Sequence, residues 1–549
     1  MVDYDAIVIG SGPGGLTAAL SLARAGKKVV VLEQHYLPGG WCHSFTLGDY
    51  KFSPGVHYIG ELHQGGRMRA LFEGLGIAND ITFLEINPDG YDHVLVGDKK
   101  FDIPKGRDKY INRLKETFPN EQKGIEGYFS AIDKTVRGIE ANFEFKGIKD
   151  LLTLPFRHHT LAFRGLQPLQ KVMGSYIQDP FLKAILSIQC GDHGLPPSEV
   201  PFSMHSAIVD HYFNGAFYPK GGGYAIPRAF IRGLKKFGGE VKVRTRVDKI
   251  LLEKEGNRRR AVGVRLADGS EIRASHVISN ADPHITFENL IGRDQLTRKR
   301  VKWLDRLNYS ISALSLFFAV DMDLKKAGMD SGNYWFSETP DLEPAYNIAR
   351  GSTPADGDTY PGMFLTATTL KDPSKRTKNN HHTMEAFAFV NYEEFQQWSK
   401  SDVENRPEEY KKRKQELTDK MFRGLEKFVP GLREHVVFHD LGTPITNQFY
   451  VEATKGNLYG TEKSRKQIGP FGQGIRTEID DLFLCGASTV GHGVMGACMS
   501  GLFAATKILK NSIPEILTEK NQTIQILPSE HPESWPEEMK PSLEETSHA

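Results

Sequence analysis

Six residues near the amino terminus constrain this chain more than any other stretch. Gly10-Ser11-Gly12-Pro13-Gly14-Gly15 follows the β-branched run Asp5 to Ile9 and opens the apolar stretch Leu16 to Ala25, after which a second β-branched run covers Lys28 to Glu33. That order predicts strand, tight turn, helix and strand, a β-α-β unit carrying G-x-G-x-x-G at its turn. Gly10 permits the turn, Gly12 leaves bare backbone for a pyrophosphate, and Gly15 lets the helix lie close to the strand. The start of the helix, with Pro13 and Gly14, then offers free N–H groups to two phosphates. Glu33 ends the second strand roughly 20 residues on, where an acid accepts hydrogen bonds from ribose hydroxyls and repels a 2′-phosphate. The ligand implied is a dinucleotide with a free 2′-OH, FAD or NAD. FAD fits better, because Pro38-Gly39-Gly40 follows the acid closely and glycine-rich sequence returns near the carboxyl end. Gly221-Gly222-Gly223 lacks the spacing of a second fingerprint, so no bound NAD(P) is expected and the external electron donor or acceptor is left open.

Composition narrows the partners. The 69 Lys and Arg against 68 Asp and Glu in 549 residues create no global field that would recruit nucleic acid. Cys42, Cys190, Cys485 and Cys498 include no C-x-x-C pair, which argues against a disulfide framework and a zinc knuckle. The histidine pairs His158-His159 and His381-His382 are adjacent and point apart in an extended chain, so no metal is expected. No basic-then-apolar leader opens the sequence, so no signal peptide is expected and a cytoplasmic, reducing location fits. Two uncharged windows, Ala6 to Ala23 and Leu482 to Thr506, are broken by glycines in their first halves and read as buried strand, turn and helix rather than as membrane spans.

The length predicts roughly two to four domains. Residues 1–100, 215–300 and 436–512 carry the dinucleotide-type segments and read as one discontinuous domain. In it Val241 to Ile250 is expected as a strand, and Ala267-Asp268-Gly269 as a hairpin turn. Residues 101–214 and 301–435 have another character and read as an inserted second domain facing substrate and membrane. Residues 513–549 form an acidic tail, eight glutamates against Lys520 and Lys540, expected as a strap that then loosens.

Longer runs carry a resemblance. Leu32-Glu33-Gln34-His35, Pro38-Gly39-Gly40, Cys42-His43-Ser44-Phe45 and Gly55-Val56-His57-Tyr58-Ile59-Gly60 resemble the retinol saturase branch of the phytoene desaturase superfamily, which also holds the carotenoid cis-trans isomerases. Tyr218 to Gly223, Val277 to Pro283, Leu370 to Pro373 and Cys485 to Gly501 extend the likeness over roughly residues 4 to 510. The resemblance implies an α/β fold: a Rossmann-type FAD-binding domain of the glutathione-reductase and amine-oxidase kind, with an inserted α+β substrate domain. It also implies FAD held by Gly10, Gly12, Pro13, Gly14, Gly15, Glu33, Gln34, Gly39, Gly40, Ser44, Gly486, Ala487, Val494 and Met495, with Val247 offering its backbone to the adenine. The activity implied is oxidoreduction at a carbon–carbon double bond of a hydrophobic retinoid or carotenoid, foremost a saturation. The alternatives are a desaturase, a cis-trans isomerase, a desaturase of another lipid, or a carrier that binds flavin and polyene without turnover. Two departures stand out. The amino-terminal membrane-targeting segment of animal retinol saturases is missing here, and Trp41 stands where Gly-Gly-Arg desaturases hold arginine.

For chemistry, Gly486, Ala487 and the helix opening at Gly493 would aim N–H groups at an electron-rich flavin edge. His57 and Tyr58, between two glycines, are the candidate catalytic residues, since saturation needs a proton donor beside the hydride. A hydrogen-bonded core histidine is the competing reading of His57, and His43, His205 and His492 are lesser candidates. The stretch 143–176 interleaves Lys146, Lys149, Arg157, Arg164 and Lys171 with Leu151, Leu152, Leu154, Phe156, Leu161, Phe163, Leu166 and Leu169. It reads as a monotopic seat on a membrane, or as an amphipathic helix pair packed on its own domain.

Overall fold

The computed structural model describes residues 2–143, 153, 156–256, 258–353, 355–375 and 379–541. The glycine-rich start forms the centre of a parallel sheet. Tyr4–Ile9 lies between Val29–Leu32 and Glu271–Ser279, with Glu240–Lys242 beyond the one and Leu482–Leu484 beside the other, all running the same way. Val29–Leu32 is buried at every position, as a parallel strand covered on both faces must be. Pro13–Arg24 and Gly493–Leu509, the first helix and the last long one, pack together against this sheet. The expected continuous strand from Val241 to Ile250 is two strands on opposite edges of the sheet. Glu240–Lys242 follows Val29–Leu32, and Val247–Glu255 starts a hairpin layer with Arg258–Leu266 and the lower part of Glu271–Ser279. The chain turns between them through Arg244, whose φ is 52°. The hairpin turn at Gly269 is present.

A second sheet of seven strands forms the floor of the other half, in the order Val436–Gly442, Ser312–Val320, His382–Val390, Gly362–Ala367, Asn333–Ser337, Asp92–Val96, Lys99–Ile103. All nine positions of Ser312–Val320 are buried, because both faces are covered. One face carries helices Gln122–Phe143, Pro180–Ser187 and Phe202–Tyr212, and the other carries Glu408–Glu426. This sheet corrects the boundaries expected at 100 and 436. Asp92–Val96 and Lys99–Ile103 pair at one edge of it and Val436–Gly442 at the other, where Val94, Phe101, Ile103 and Leu441 find apolar cover.

The acidic tail does not loosen within the described residues. Gln525–Pro528 pairs in parallel with Thr82–Glu85, and Ile524, Leu527 and Trp535 are buried while Glu515, Glu533, Glu537 and Glu538 are exposed. Residues 542–549 lie outside the described residues.

Candidate active site

The two halves enclose one continuous cavity of about 1450 Å³, larger than the ~300–1,000 Å³ of an ordinary ligand pocket. Its first third is the glycine turn. Gly10, with φ of 90°, Ser11, Gly12 and Pro13 form the wall, followed by Glu33 and Gln34, Gly40, Val247, and then Gly486, Ala487, Val494 and Met495. Ser11 holds the Glu33 carboxylate with its amide at 2.9 Å and its hydroxyl at 2.6 Å, and the His35 amide donates to the other oxygen at 2.9 Å. An acid with two oxygens retains lone pairs for a ribose diol.

At the far wall His492 donates from Nε2 to the Asp192 carbonyl at 2.9 Å, which leaves Nδ1 as an acceptor, buried and unpartnered, just before the helix Gly493–Leu509. Burial and the Lys463 charge keep this imidazole neutral, its pKa lowered to about 3. A bare glycine turn, an oriented acid, an unpaired acceptor and a helix N-terminus on one wall fit FAD.

Four of the expected cofactor residues lie behind the cavity wall, three of them packed on or bonded to the glycine turn. Gly14 packs so closely that a methyl group there would meet the Gly486 amide and the Ala497 carbonyl at 2.8 and 2.9 Å. The Gly15 amide donates to Asn280 Oδ1 at 3.0 Å, and the Gly39 amide to Ser11 Oγ at 2.9 Å. Ser44 exchanges a hydrogen bond with Ser53 at 2.9 Å and accepts from the Tyr224 amide at 3.1 Å. The Gly486 amide, expected to face the flavin, donates instead to Ser500 Oγ at 2.7 Å. Asn280, within a quoted motif but without an assigned role, underlies the glycine turn; its Nδ2 occupies the space a methyl on Gly12 would need. Trp41 lines the cavity.

His57 and Tyr58 both reach the middle of the cavity. The His57 ring sits between Phe364 and Phe387, centroids 5.3 and 4.8 Å away. Its Nδ1 is 3.3 Å from Glu385 Oε2, yet neither atom has a directed hydrogen bond, and burial lowers the imidazole pKa. Beneath it the buried Lys371 ammonium donates to the His57 carbonyl at 2.6 Å and to Asn333 Oδ1 at 2.5 Å.

Tyr58 stacks on Tyr212 at 4.4 Å and 15°, and its hydroxyl donates to Asp192 Oδ2 at 2.8 Å with Asp92 Oδ2 at 3.4 Å. Two buried carboxyl groups thus share one phenol. Asp92 is supported by Asn333 Nδ2 at 3.2 Å, Trp335 Nε1 at 3.0 Å and Gln189 Nε2 at 3.4 Å. Burial, opposed by these donors, pushes its pKa up to about 6, while burial and the Asp92 charge push Asp192 up to about 8. Both carboxyl groups are raised, Asp192 the more because the Asp92 charge opposes its ionisation.

The lesser histidines are committed elsewhere. His43 Nδ1 donates to the Gly40 carbonyl at 2.6 Å, and the His205 ring is buried, with Nε2 donating to the Leu186 carbonyl at 2.8 Å. No motif marks Asp92 or Asp192, which lie 100 residues apart in sequence; only their meeting at Tyr58 reveals them.

The last third of the cavity is apolar. Ile139, Leu161, Met204, Ile208, Tyr346 and Phe389 line it, and it reaches Leu166. Leu166 is 42% exposed, Phe163 62% and Phe156 89%. Of the stretch 143–176, residues 144–152 and 154–155 lie outside the described residues. In the remainder Leu169 is core rather than surface, and Arg164 lies over the Tyr176 ring. Among the described residues no helix is long and apolar enough to cross a membrane.

Comparison with known proteins agrees with this geometry. Residues 13–509 match the family described as flavin containing amine oxidoreductase. The chain is 33% identical over 538 residues to the all-trans-retinol 13,14-reductase of Danio rerio, covering 93% of this chain and 87% of that one. It is 27% identical to the chloroplastic prolycopene isomerase of Daucus carota, covering 92% and 80%. An oxidoreductase crystal structure from Methanosarcina mazei superposes with a TM-score of 0.61 at 18% identity over 92% of this chain and all of that one, a likeness of fold. The chain belongs to the flavin-containing amine oxidoreductases, on the branch of the all-trans-retinol 13,14-reductases, and is an FAD-dependent enzyme.

Proposed function

We propose that this enzyme saturates a carbon–carbon double bond of a hydrophobic polyene taken from a membrane surface. The observation that carries the reading is the single cavity leading from Glu33, past Tyr58, to the apolar walls at Leu161 and Leu166. Its length suits a dinucleotide and a long apolar substrate in line, and the relatives named as acting on retinol and prolycopene support a polyene.

Gly10, Ser11, Gly12, Pro13, Glu33 and the start of Gly493–Leu509 would hold FAD, which when bound supplies two-electron hydride chemistry. The chain's own residues do the rest. Phe364, Phe387 and Phe389 exclude water from the substrate, and Lys371 pins the backbone at His57 so that the next residue, Tyr58, faces the cavity.

A polyene is nearly insoluble in water, so the exposed Phe156, Phe163 and Leu166 beside the apolar end suit a lipid surface, with the enzyme seated monotopically on the cytoplasmic side. Anaerobic incubation of the purified, chemically reduced holoenzyme with retinoids and carotenoids tests the reading by product mass. A gain of two hydrogens is expected; no gain from the reduced enzyme, with a loss of two when the oxidised holoenzyme is used instead, overturns it in favour of desaturation. The prolycopene isomerase relationship favours isomerisation as the second reading, which predicts unchanged mass with shifted absorption.

A further inference from the structure

We propose that Asp192 is the proton donor of this site, held in that role by Tyr58 and Asp92. The inference rests on the reductive reading above. One carbon of the double bond takes hydride from the reduced flavin. Its neighbour forms a C–H bond with the proton of the Asp192 carboxyl group, whose O–H bond breaks to leave a carboxylate. The double bond is reduced, the flavin is oxidised, and Asp192 recovers its proton from water before an external donor reduces the flavin again.

The geometry supports each part. Asp192 lines the cavity as the last residue of the short helix Ile188–Asp192, between Tyr58 and the His492 that opens the last long helix. Tyr58 donates to Oδ2 at 2.8 Å, and among the described residues no donor reaches Oδ1. Oδ1, the oxygen free of Tyr58, is the one we assign to carry the transferable proton. Asp92 explains why the proton stays. Three donors stabilise its charge, and that charge, 3.4 Å from the Tyr58 hydroxyl, opposes ionisation of Asp192.

The other titratable groups about Asp192 do not pull the proton away. The phenols of Tyr58, Tyr212 and Tyr459 and the Cys190 thiol have raised pKa values, and the His492 imidazole has a lowered one, so all five are neutral at neutral pH. The pair thus works as one acid and one charge, the division of labour that lets a carboxyl group donate at neutral pH.

The test uses the FAD-loaded protein and two readouts. Infrared spectroscopy at pH 7 should show a protonated-carboxyl band that Asp192→Asn removes. Asp92→Asn should lower the pH at which that band is lost by at least one unit, and the alkaline limb of the rate profile should move with it. In single-turnover reduction Asp192→Asn, which still accepts the Tyr58 hydrogen bond, should lose on the order of 100-fold or more in rate with its FAD content unchanged. If Asp192→Asn does not fold, the shift in Asp92→Asn carries the test, since a merely structural role would not move the titration. A wild type that saturates a polyene while Asp192→Asn does so at the same rate overturns this inference alone. An unaltered carboxyl band in Asp192→Asn likewise overturns it. A wild type that saturates no polyene overturns the functional reading, and this donor role with it.

Discussion

Gly501 of the last long helix lies directly on the backbone of Gly14 in the first: a methyl group on Gly501 would stand 2.0 Å from the Gly14 carbonyl oxygen and 3.0 Å from the Ala18 amide. The two helices that build the dinucleotide end therefore meet backbone to backbone. Gly501→Ala has no side-chain end to displace and must push the first helix away. We expect a loss of about 1–3 kcal/mol in stability together with most of the bound FAD. Urea denaturation and FAD released per chain check both; full FAD content at unchanged stability would show that the contact is slack.

Glu33 is poised by Ser11 and His35 at the cavity wall. Glu33→Gln keeps the shape and removes the charge, so FAD should bind about 10- to 100-fold more weakly, the equivalent of one charge-assisted hydrogen bond. Its amide nitrogen would also face either the Ser11 donors or the His35 amide. Titration of the apoprotein with FAD, followed by flavin fluorescence, measures the change.

Lys371 is fully buried, and burial outweighs the attraction of Glu385 and Asp92, lowering its pKa from 10.5 to about 7. Between those values the unfolded chain binds a proton that the folded chain does not. Its contribution to stability is therefore lowest below pH 7 and rises with pH up to about 10.5. The stability of the wild type minus that of Lys371→Met should increase from pH 7 to pH 10. Denaturation midpoints at three pH values decide it, and a constant difference would mean that Lys371 stays charged in the fold.

Phe163 and Leu166 stand exposed beside the apolar end of the cavity. The double variant Phe163→Ser, Leu166→Ser should sediment less with anionic liposomes and take up liposome-borne polyene more slowly, with FAD content and stability within about 0.5 kcal/mol of wild type. Equal liposome binding by variant and wild type would remove this face from any membrane role.

Local order was what the chain made legible. Gly10 to Gly15 has its meaning within a few residues: a turn after a strand and before a helix leaves few alternatives, and Glu33 follows at the spacing of one β-α-β unit. The strands around Val241 to Ile250 were less legible because β-propensity does not record which sheet edge a residue joins. Only the φ of Arg244 and the pairing partners separate them. The boundaries at 100 and 436 shifted for a similar reason, since Asp92–Val96 and Val436–Gly442 are placed by partners far away in the chain.

The amino-acid sequence by itself determined the dinucleotide end of this protein, its acid, and the two adjacent residues, His57 and Tyr58, that line the middle of the cavity. Tertiary structure decided which polar groups meet there. Gly486 lost its expected amide to Ser500, and Asp92 and Asp192 became a coupled pair only because the floor strand and a helical turn bring them to one phenol. The physical reason is range: a turn or a helix start is set by neighbouring residues, whereas desolvation and charge coupling depend on what folding buries together.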